Sequence, residues 1–240
     1  MTQRERGTPQ GGPLSPMISN IVLDDLDKEL ERRGHQFCRY ADDCNIYVRS
    51  QKAAERVMVS ATAFVESKLK LRVNRDKSAA ARASERKFLG YTVTAEKRPR
   101  HKVSPTSVKR MKQRIRKITR SGKGRNIETV IKQINDYLRG WFGYYRMNEV
   151  KWIFEALDKW VRRRLRKILW QQWKKPRTRA KKLRGFGLST KAAMQGAYNR
   201  RGPWSNAAAP AMHAAISNER LSKWGLKSLL EMQRGLTRAT

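Results

Sequence analysis

Apolar positions in the first third of the chain change period several times, the mark of mixed helices and strands. Met17, Ile21, Val22, Leu26 and Leu30 recur at helical spacing behind Ser15-Pro16, which supplies an N-cap and a proline at the first helical position; Gly34 ends the run. Residues 37–48 are rich in strand formers but interrupted by Ala41-Asp42-Asp43, which predicts two short strands joined by a tight acidic turn. A second helix is expected over 51–68, with Ala54, Val57, Met58, Ala61 and Val65 inward. Leu69, Leu71 and Val73 then alternate with polar residues, and residues 88–94 read as a further strand. Residues 1–96 therefore predict a sheet with helices packed on it.

After Lys97-Arg98-Pro99-Arg100 the period becomes purely helical. Val108, Met111, Ile115 and Ile118 follow Ser104-Pro105 and run to Ser121-Gly122-Lys123-Gly124. Val130, Ile131, Ile134, Leu138 and Trp141 repeat the pattern, and a third segment over 151–173 sets Trp152, Ala156, Trp160, Leu165 and Leu169 roughly on one face. Three basic helices predict a small bundle. Lys174-Lys175-Pro176-Arg177 reads as a linker, and residues 185–240 as a tail of poor periodicity. The fold class is α+β, in regions 1–96, 97–175 and 176–240.

Charge changes the picture. The 240 residues carry 55 Lys and Arg against 20 Asp and Glu, a formal +35. Residues 97–201 hold 33 basic and 5 acidic residues together with five of the seven tryptophans, whereas residues 1–96 hold 17 against 13. A chain that is 39% hydrophobic is too apolar for a disordered polycation, so a folded protein with an extended polyanion site is implied. Trp141, Trp152, Trp160, Trp170 and Trp173 read as core, whereas Arg162, Arg163, Arg164 and Arg166 form the best single cluster for RNA phosphates. No stretch is apolar enough to span a membrane and no signal-peptide core is visible, so a cytoplasmic place is expected. Two cysteines and three histidines cannot build a disulfide framework or a zinc site unaided.

Asp42 and Asp43 are the sharpest chemical feature. Unit charges ~4 Å apart repel by about 4 kcal/mol at an effective dielectric of about 20. One stays protonated, a cation sits between them, or they splay into solvent. In a turn pinned between strands they could hold Mg2+ through hard oxygen ligands, and two-metal phosphoryl transfer then needs at least one more carboxylate from another element.

Tyr40-Ala41-Asp42-Asp43 resembles the YxDD signature of reverse transcriptases, and the run from Gly7-Thr8-Pro9-Gln10-Gly11 to Leu14-Ser15-Pro16 resembles the preceding block of group II intron-encoded reverse transcriptases and maturases. Asn74 with Lys77, and Phe88-Leu89-Gly90-Tyr91, match the next two blocks in order. Gly140-Trp141-Phe142-Gly143-Tyr144-Tyr145 and Arg163-Arg164-Leu165-Arg166 are similar to the family's thumb or maturase region. The resemblance implies a partial right-hand polymerase palm followed by an all-α basic thumb, and RNA-directed DNA synthesis joined to a role in splicing. It makes Asp42 and Asp43 metal ligands and catalytic groups, and sets Pro9, Gln10, Gly11 and Tyr40 beside template and primer. Lys77 becomes either a surface charge or a catalytic cation near departing pyrophosphate. Phe88, Leu89 and Gly90 are a core strand with a bend, a primer grip, or both. The partners implied are group II intron RNA, an RNA template with a DNA primer, dNTP and, for residues 185–240 in the place of the DNA-binding region, target DNA. A non-catalytic intron-binding splicing factor and a generic basic nucleic-acid-binding protein are the rival readings.

The family's fingers and first Asp-bearing palm strand should precede Gly7. Asp24, Asp25 and Asp27 read instead as helix-surface charge. The expectation is a carboxyl-terminal part that does not polymerise alone: primer extension on an RNA template with Mg2+ should give no product, and robust synthesis would overturn this.

Overall fold

The computed structural model describes residues 14–120 and 124–239, and the chain divides into two compact units between Leu89 and Gly90. Pro9, Gln10 and Gly11 lie outside the described residues.

In the first unit, helix α1 spans Ser15–Arg32. Leu14, not Ser15, stands at its N-cap and no side chain caps it. Gly34 leaves the helix at φ +70°, the left-handed conformation glycine adopts without a Cβ penalty. Only the end of the expected stripe is buried: Leu26 and Leu30 are covered, whereas Met17 and Ile21 are exposed. Strands β1 (Gln36–Tyr40) and β2 (Asp43–Tyr47) pair antiparallel from Gln36↔Tyr47 to Tyr40↔Asp43. Helix α2, Gln51–Ser67, starts where the Ala53 amide donates to Ser50 Oγ at 3.2 Å. Its expected inward residues are half-buried and none is fully covered. The alternation of Leu69, Leu71 and Val73 forms no strand: Lys70 adopts φ +55°, which breaks the extended path. The first unit thus holds one two-stranded ribbon, not a broader sheet, among the described residues.

The second unit opens with a hairpin that the helical period concealed. Strand β3 is Tyr91–Val93, shorter than expected, and pairs with β4, His101–Val103. The basic run 97–100 is its loop. Helices α3 (Pro105–Arg120), α4 (Ile127–Tyr145) and α5 (Lys151–Gln172) follow. Met111, Ile115, Val130, Ile131, Ile134 and Leu138 are buried, as their spacing predicts. On α5 the expected stripe holds at Leu165 and Leu169, both buried, but misleads in the first turns: Trp152 is 66% exposed and Ala156 is also outside, whereas Ile153, Phe154, Leu157 and Val161 are buried. The large tryptophans drew the stripe about 100° from the covered face.

The expected linker at 174–177 is instead a helix start. Pro176 fits the first turn of α6, Pro176–Gly185, where its missing N–H costs nothing. Helices α7 (Thr190–Ala197), α8 (Pro203–Asn206), α9 (Pro210–Ala215), α10 (Asn218–Lys223) and α11 (Leu229–Ala239) complete the chain. Their Ala193, Ala197, Met212, Ile216, Leu221 and Leu229 join the same apolar core as α3–α5. The buried Asp158 of α5 fastens the last helix. It accepts from Ser228 Oγ at 2.6 Å and from the amides of Leu229 at 3.0 Å and Leu230 at 3.2 Å, satisfying donors that a helix start leaves open.

Gly90 shows why one position admits only glycine. Its φ is +79°, and a Cβ there would lie 2.5 Å from Tyr145 Oη and 3.1 Å from Ser107 Oγ. Its carbonyl accepts from the Ser104 amide and from Ser107 Oγ, each at 3.0 Å. Gly187 has φ +98° with open space around it. Gly187→Ala should cost about 1–2 kcal/mol, the left-handed penalty, and Gly90→Ala a further 1–3 or so from overpacking. Thermal unfolding followed by circular dichroism checks the order; equal losses would mean that Tyr145 yields freely.

Candidate catalytic hairpin and cationic face

Pairing Tyr40 with Asp43 leaves a two-residue turn, Ala41-Asp42, so the two acids occupy different positions: Asp42 at the tip, Asp43 opening β2. Both are exposed, as is Tyr40. Ala41 sits at φ +53°, a conformation costing about 1–2 kcal/mol in a non-glycine residue. Something must hold it there.

Arg39 does so. Its Nη1 donates to the Ala41 carbonyl at 3.0 Å and to Asn20 Oδ1 at 3.0 Å. Its Nε donates to Asp27 Oδ1 at 2.8 Å, and Nη2 closes a fork on Asp27 Oδ2. Asp27 raises the Arg39 pKa above its ordinary value. The ribbon is thereby fastened to α1, and the turn carbonyl to both. Reading Asp27 as surface charge is corrected: its side chain is 22% exposed and that of Arg39 12%. Asp24 does fit that reading, in an exposed pair with Lys28 at 2.7 Å. The sequence signal for Arg39 was its place two residues from Phe37, on the half-buried side of β1.

Carboxylate oxygens are the donors a hard divalent cation prefers, so Asp42 and Asp43 fit such an ion in kind. They fall short in number. Among the described residues no group of three or more His, Cys, Asp and Glu is placed to hold a metal, and further oxygens must come from water, nucleotide phosphates or another acid.

The other expected site residues fall in separate places. Lys77 is exposed at the end of a turn in which its amide donates to Asn74 O at 3.2 Å and Asn74 Oδ1 at 3.3 Å. Phe88 and Leu89 end the first unit and Gly90 opens the second. The core-strand reading of these three is corrected: Leu89 and Gly90 both have positive φ and form a turn, Leu89 is exposed, and the strand begins only at Tyr91. Tyr91, next along, packs on Tyr144 and Tyr145 and donates its hydroxyl to the Tyr144 carbonyl at 2.6 Å.

The four arginines of α5 do not form one surface. Arg166 is 2% exposed; its Nε donates to Ile216 O at 2.8 Å and its Nη2 to Asn218 Oδ1 at 3.0 Å. Burial first, then Arg162, pulls its pKa below the ordinary value. A guanidinium so covered is unavailable to RNA phosphates, which corrects the expectation for Arg166. Arg163 lies 4.2 Å above the Trp204 ring and donates twice to the Trp204 carbonyl. Arg162 lines a cleft with Lys223 and Glu231. Arg164 turns toward α3 and donates to Thr119 Oγ1.

Comparison with known proteins divides the chain in the same order. The family described as reverse transcriptase (RNA-dependent DNA polymerase) matches residues 2–93, and the one described as group II intron, maturase-specific domain, matches 108–186. The chain is similar to Protein YkfC of Escherichia coli (strain K12), at 31% identity over 30% of this chain and 28% of that protein. It is also similar to the Retron Mx65 reverse transcriptase of Myxococcus xanthus, at 35% identity over 38% of this chain and 24% of that protein. It spans about a quarter of the length of these curated relatives.

Cys44, opposite Arg39 in the ribbon, reports on the fastening. Burial, then the Asp27 charge, pushes its thiol up to about 11. In a Cys38→Ser background, maleimide labelling of Cys44 should be slow and rise about tenfold per pH unit from 7 to 9, since thiolate is the reactive form. Arg39→Ala removes a cation that lowers the thiol's pKa, so labelling at pH 7.5 should quicken severalfold only through exposure of Cys44; a rate unchanged or slower would show that Arg39 does not hold the ribbon.

Proposed function

We propose that this chain, which belongs to the group II intron reverse transcriptase and maturase family, serves RNA-directed DNA synthesis through its first unit and binds intron RNA through the basic helices of its second. The family is one of nucleotidyltransferases that work with a divalent metal. The observation that carries the catalytic reading is the locked ribbon: two adjacent acids at a turn whose backbone is held by Arg39, Asp27 and Asn20. A solvated turn needs no such fastening, whereas a site that aligns reacting groups does.

In this reading Asp42 and Asp43 hold Mg2+, which supplies Lewis-acid activation of the primer hydroxyl and neutralises charge on the incoming phosphates. Arg39 acts through the backbone: it keeps the tip from drifting and never meets substrate. Lys77, exposed on its Asn74-closed turn, offers a cation to departing pyrophosphate. Tyr40, exposed beside the acids, offers a flat face to the primer end or the nascent pair. The maturase-specific match supports RNA binding by the second unit, and the imbalance of 33 basic to 5 acidic residues over 97–201 supports a phosphate-rich partner.

Asp42→Ala and Asp43→Ala separate polymerase from splicing factor. Primer extension on an RNA template with Mg2+, run on the chain and on the longest product of its gene, should lose about a hundredfold or more wherever it is active. RNA affinity should stay within about twofold, because neither acid contacts phosphate without the ion. Intron-selective binding and splicing rescue with incorporation absent throughout would favour the non-catalytic reading.

A further inference from the structure

Most arginines of the second unit that leave the surface are accounted for by acceptors inside the protein. One group is not. On the seam of α3 and α5, three cations converge on a single indole: Arg116 at 5.6 Å, Lys112 at 5.8 Å and Arg164 at 5.8 Å from the Trp160 ring centroid. None of the three forms an ion pair with a carboxylate among the described residues. Arg164 reaches only a hydroxyl, Thr119 Oγ1, whose own hydrogen goes to Ile115 O at 2.7 Å. The buried Arg164 Nε has no hydrogen-bond partner at all.

Such a cluster is costly as it stands. Like charges held around one ring repel, the indole offsets each by only about 0.5–1 kcal/mol at an exposed site, and an unpartnered buried N–H adds its desolvation cost. Burial, then the Arg116 charge, holds Arg164 below its ordinary pKa, as expected of a cation facing another with no anion between them. An anion set among the three would relieve the repulsion between them. A fork-shaped guanidinium beside a second one matches a phosphodiester, which accepts bidentate hydrogen bonds from each.

We propose that Lys112, Arg116 and Arg164, gathered on Trp160, form a phosphodiester-binding site for the RNA backbone. The site rests on the reading of the second unit as RNA-binding and gives it an address. Lys112 and Arg116 lie on α3, outside the arginine run of α5 that composition singles out, and Arg164 alone is shared with that run. The contact is to phosphate, so it sets affinity and register and reads no base.

The test uses the full chain and a fluorescein-labelled RNA hairpin, with binding followed by anisotropy across a KCl series. Lys112→Gln with Arg116→Gln should reduce the magnitude of the log–log salt slope by about 1.5, at roughly 0.7–0.9 for each phosphate no longer neutralised, without lowering the unfolding temperature. Lys181→Gln with Lys182→Gln on α6 removes the same charge from exposed positions elsewhere in the unit and should leave the slope nearly intact. An unchanged slope in the α3 variant overturns the site while leaving RNA binding standing. Equal reductions in both variants overturn it too, by showing diffuse attraction. Failure of the unaltered chain to bind RNA would overturn the underlying reading together with the site. Inorganic phosphate is the remaining arm: thermal stabilisation by phosphate that the α3 variant no longer shows, with its RNA slope unmoved, would assign the cluster to a free anion and overturn the nucleic-acid source.

Discussion

Scarcity of carboxylate governs the second unit. Residues 97–201 offer five acids to thirty-three bases, so a guanidinium that enters the protein there cannot rely on an ion pair. It relies on dipoles and rings. Arg166 is held by a carbonyl and an amide oxygen, Arg163 by the Trp204 ring and carbonyl, and Arg179 by the Trp170 ring at 4.6 Å. Neutral acceptors satisfy N–H groups of Arg166 and Arg163, whereas the buried Nε of Arg179 has no partner; in each case the charge remains, and burial makes it felt by its neighbours. His213, near Arg166 and Arg163, is accordingly held below its ordinary pKa by burial and by those two cations. The buried Asp158 is committed to the start of α11 and not to an arginine. The fold therefore stabilises its shape without cancelling its field, and that uncancelled field is what a polyanion meets.

The first unit solves a different problem. Leu26 and Leu30 are its buried apolar side chains among the described residues, far fewer than a core that would hold strands in place by packing alone. Order at the ribbon comes instead from a polar lock. A fork between Arg39 and Asp27 is directional where apolar contact is not, and the same guanidinium reaches Asn20 and the Ala41 carbonyl. That geometry explains how alanine tolerates a positive φ at the tip. A hairpin so thinly packed gains precision where the two acids sit, even though the surrounding surface stays apolar and open at Met17 and Ile21.

Legibility in the sequence followed the range of the physics. The stripes of α3 and α4 were readable because helical period and burial coincide: Met111, Ile115, Val130, Ile134 and Leu138 are all covered. The acidic hairpin was readable because strand formers flank a turn too short for anything else. What escaped depends on contacts distant in sequence. Arg166 looked like its three basic neighbours, and only the approach of Ile216 and Asn218, some fifty residues on, makes it structural. Trp152 looked like core because tryptophan usually is, yet it stands one helical step from the covered face. Lys174-Lys175-Pro176 looked like a linker because its charges hid a proline suited to a helix start. Asp27 looked like one of three surface acids until Arg39 came to meet it.

These misreadings share a cause with the cluster at Trp160. In a chain this basic, composition cannot distinguish a cation that binds from one that builds, because both are lysine or arginine in an amphipathic helix. The distinction lies in which donors each side chain has already committed. Arg166 and Arg163 have given theirs to carbonyls and rings within the unit, so removing them breaks packing before it weakens any ligand. Lys112, Arg116 and Arg164 have met an aromatic face, a hydroxyl and one another, but no negative charge. A like-charged group persists in a folded protein when the surrounding core is stable enough to tolerate it, and the α3–α5 seam, with Met111, Ile115, Leu157 and Leu165 wholly buried, has that stability. The strain is then resolved on binding rather than on folding, which makes the core of the unit the source of its affinity.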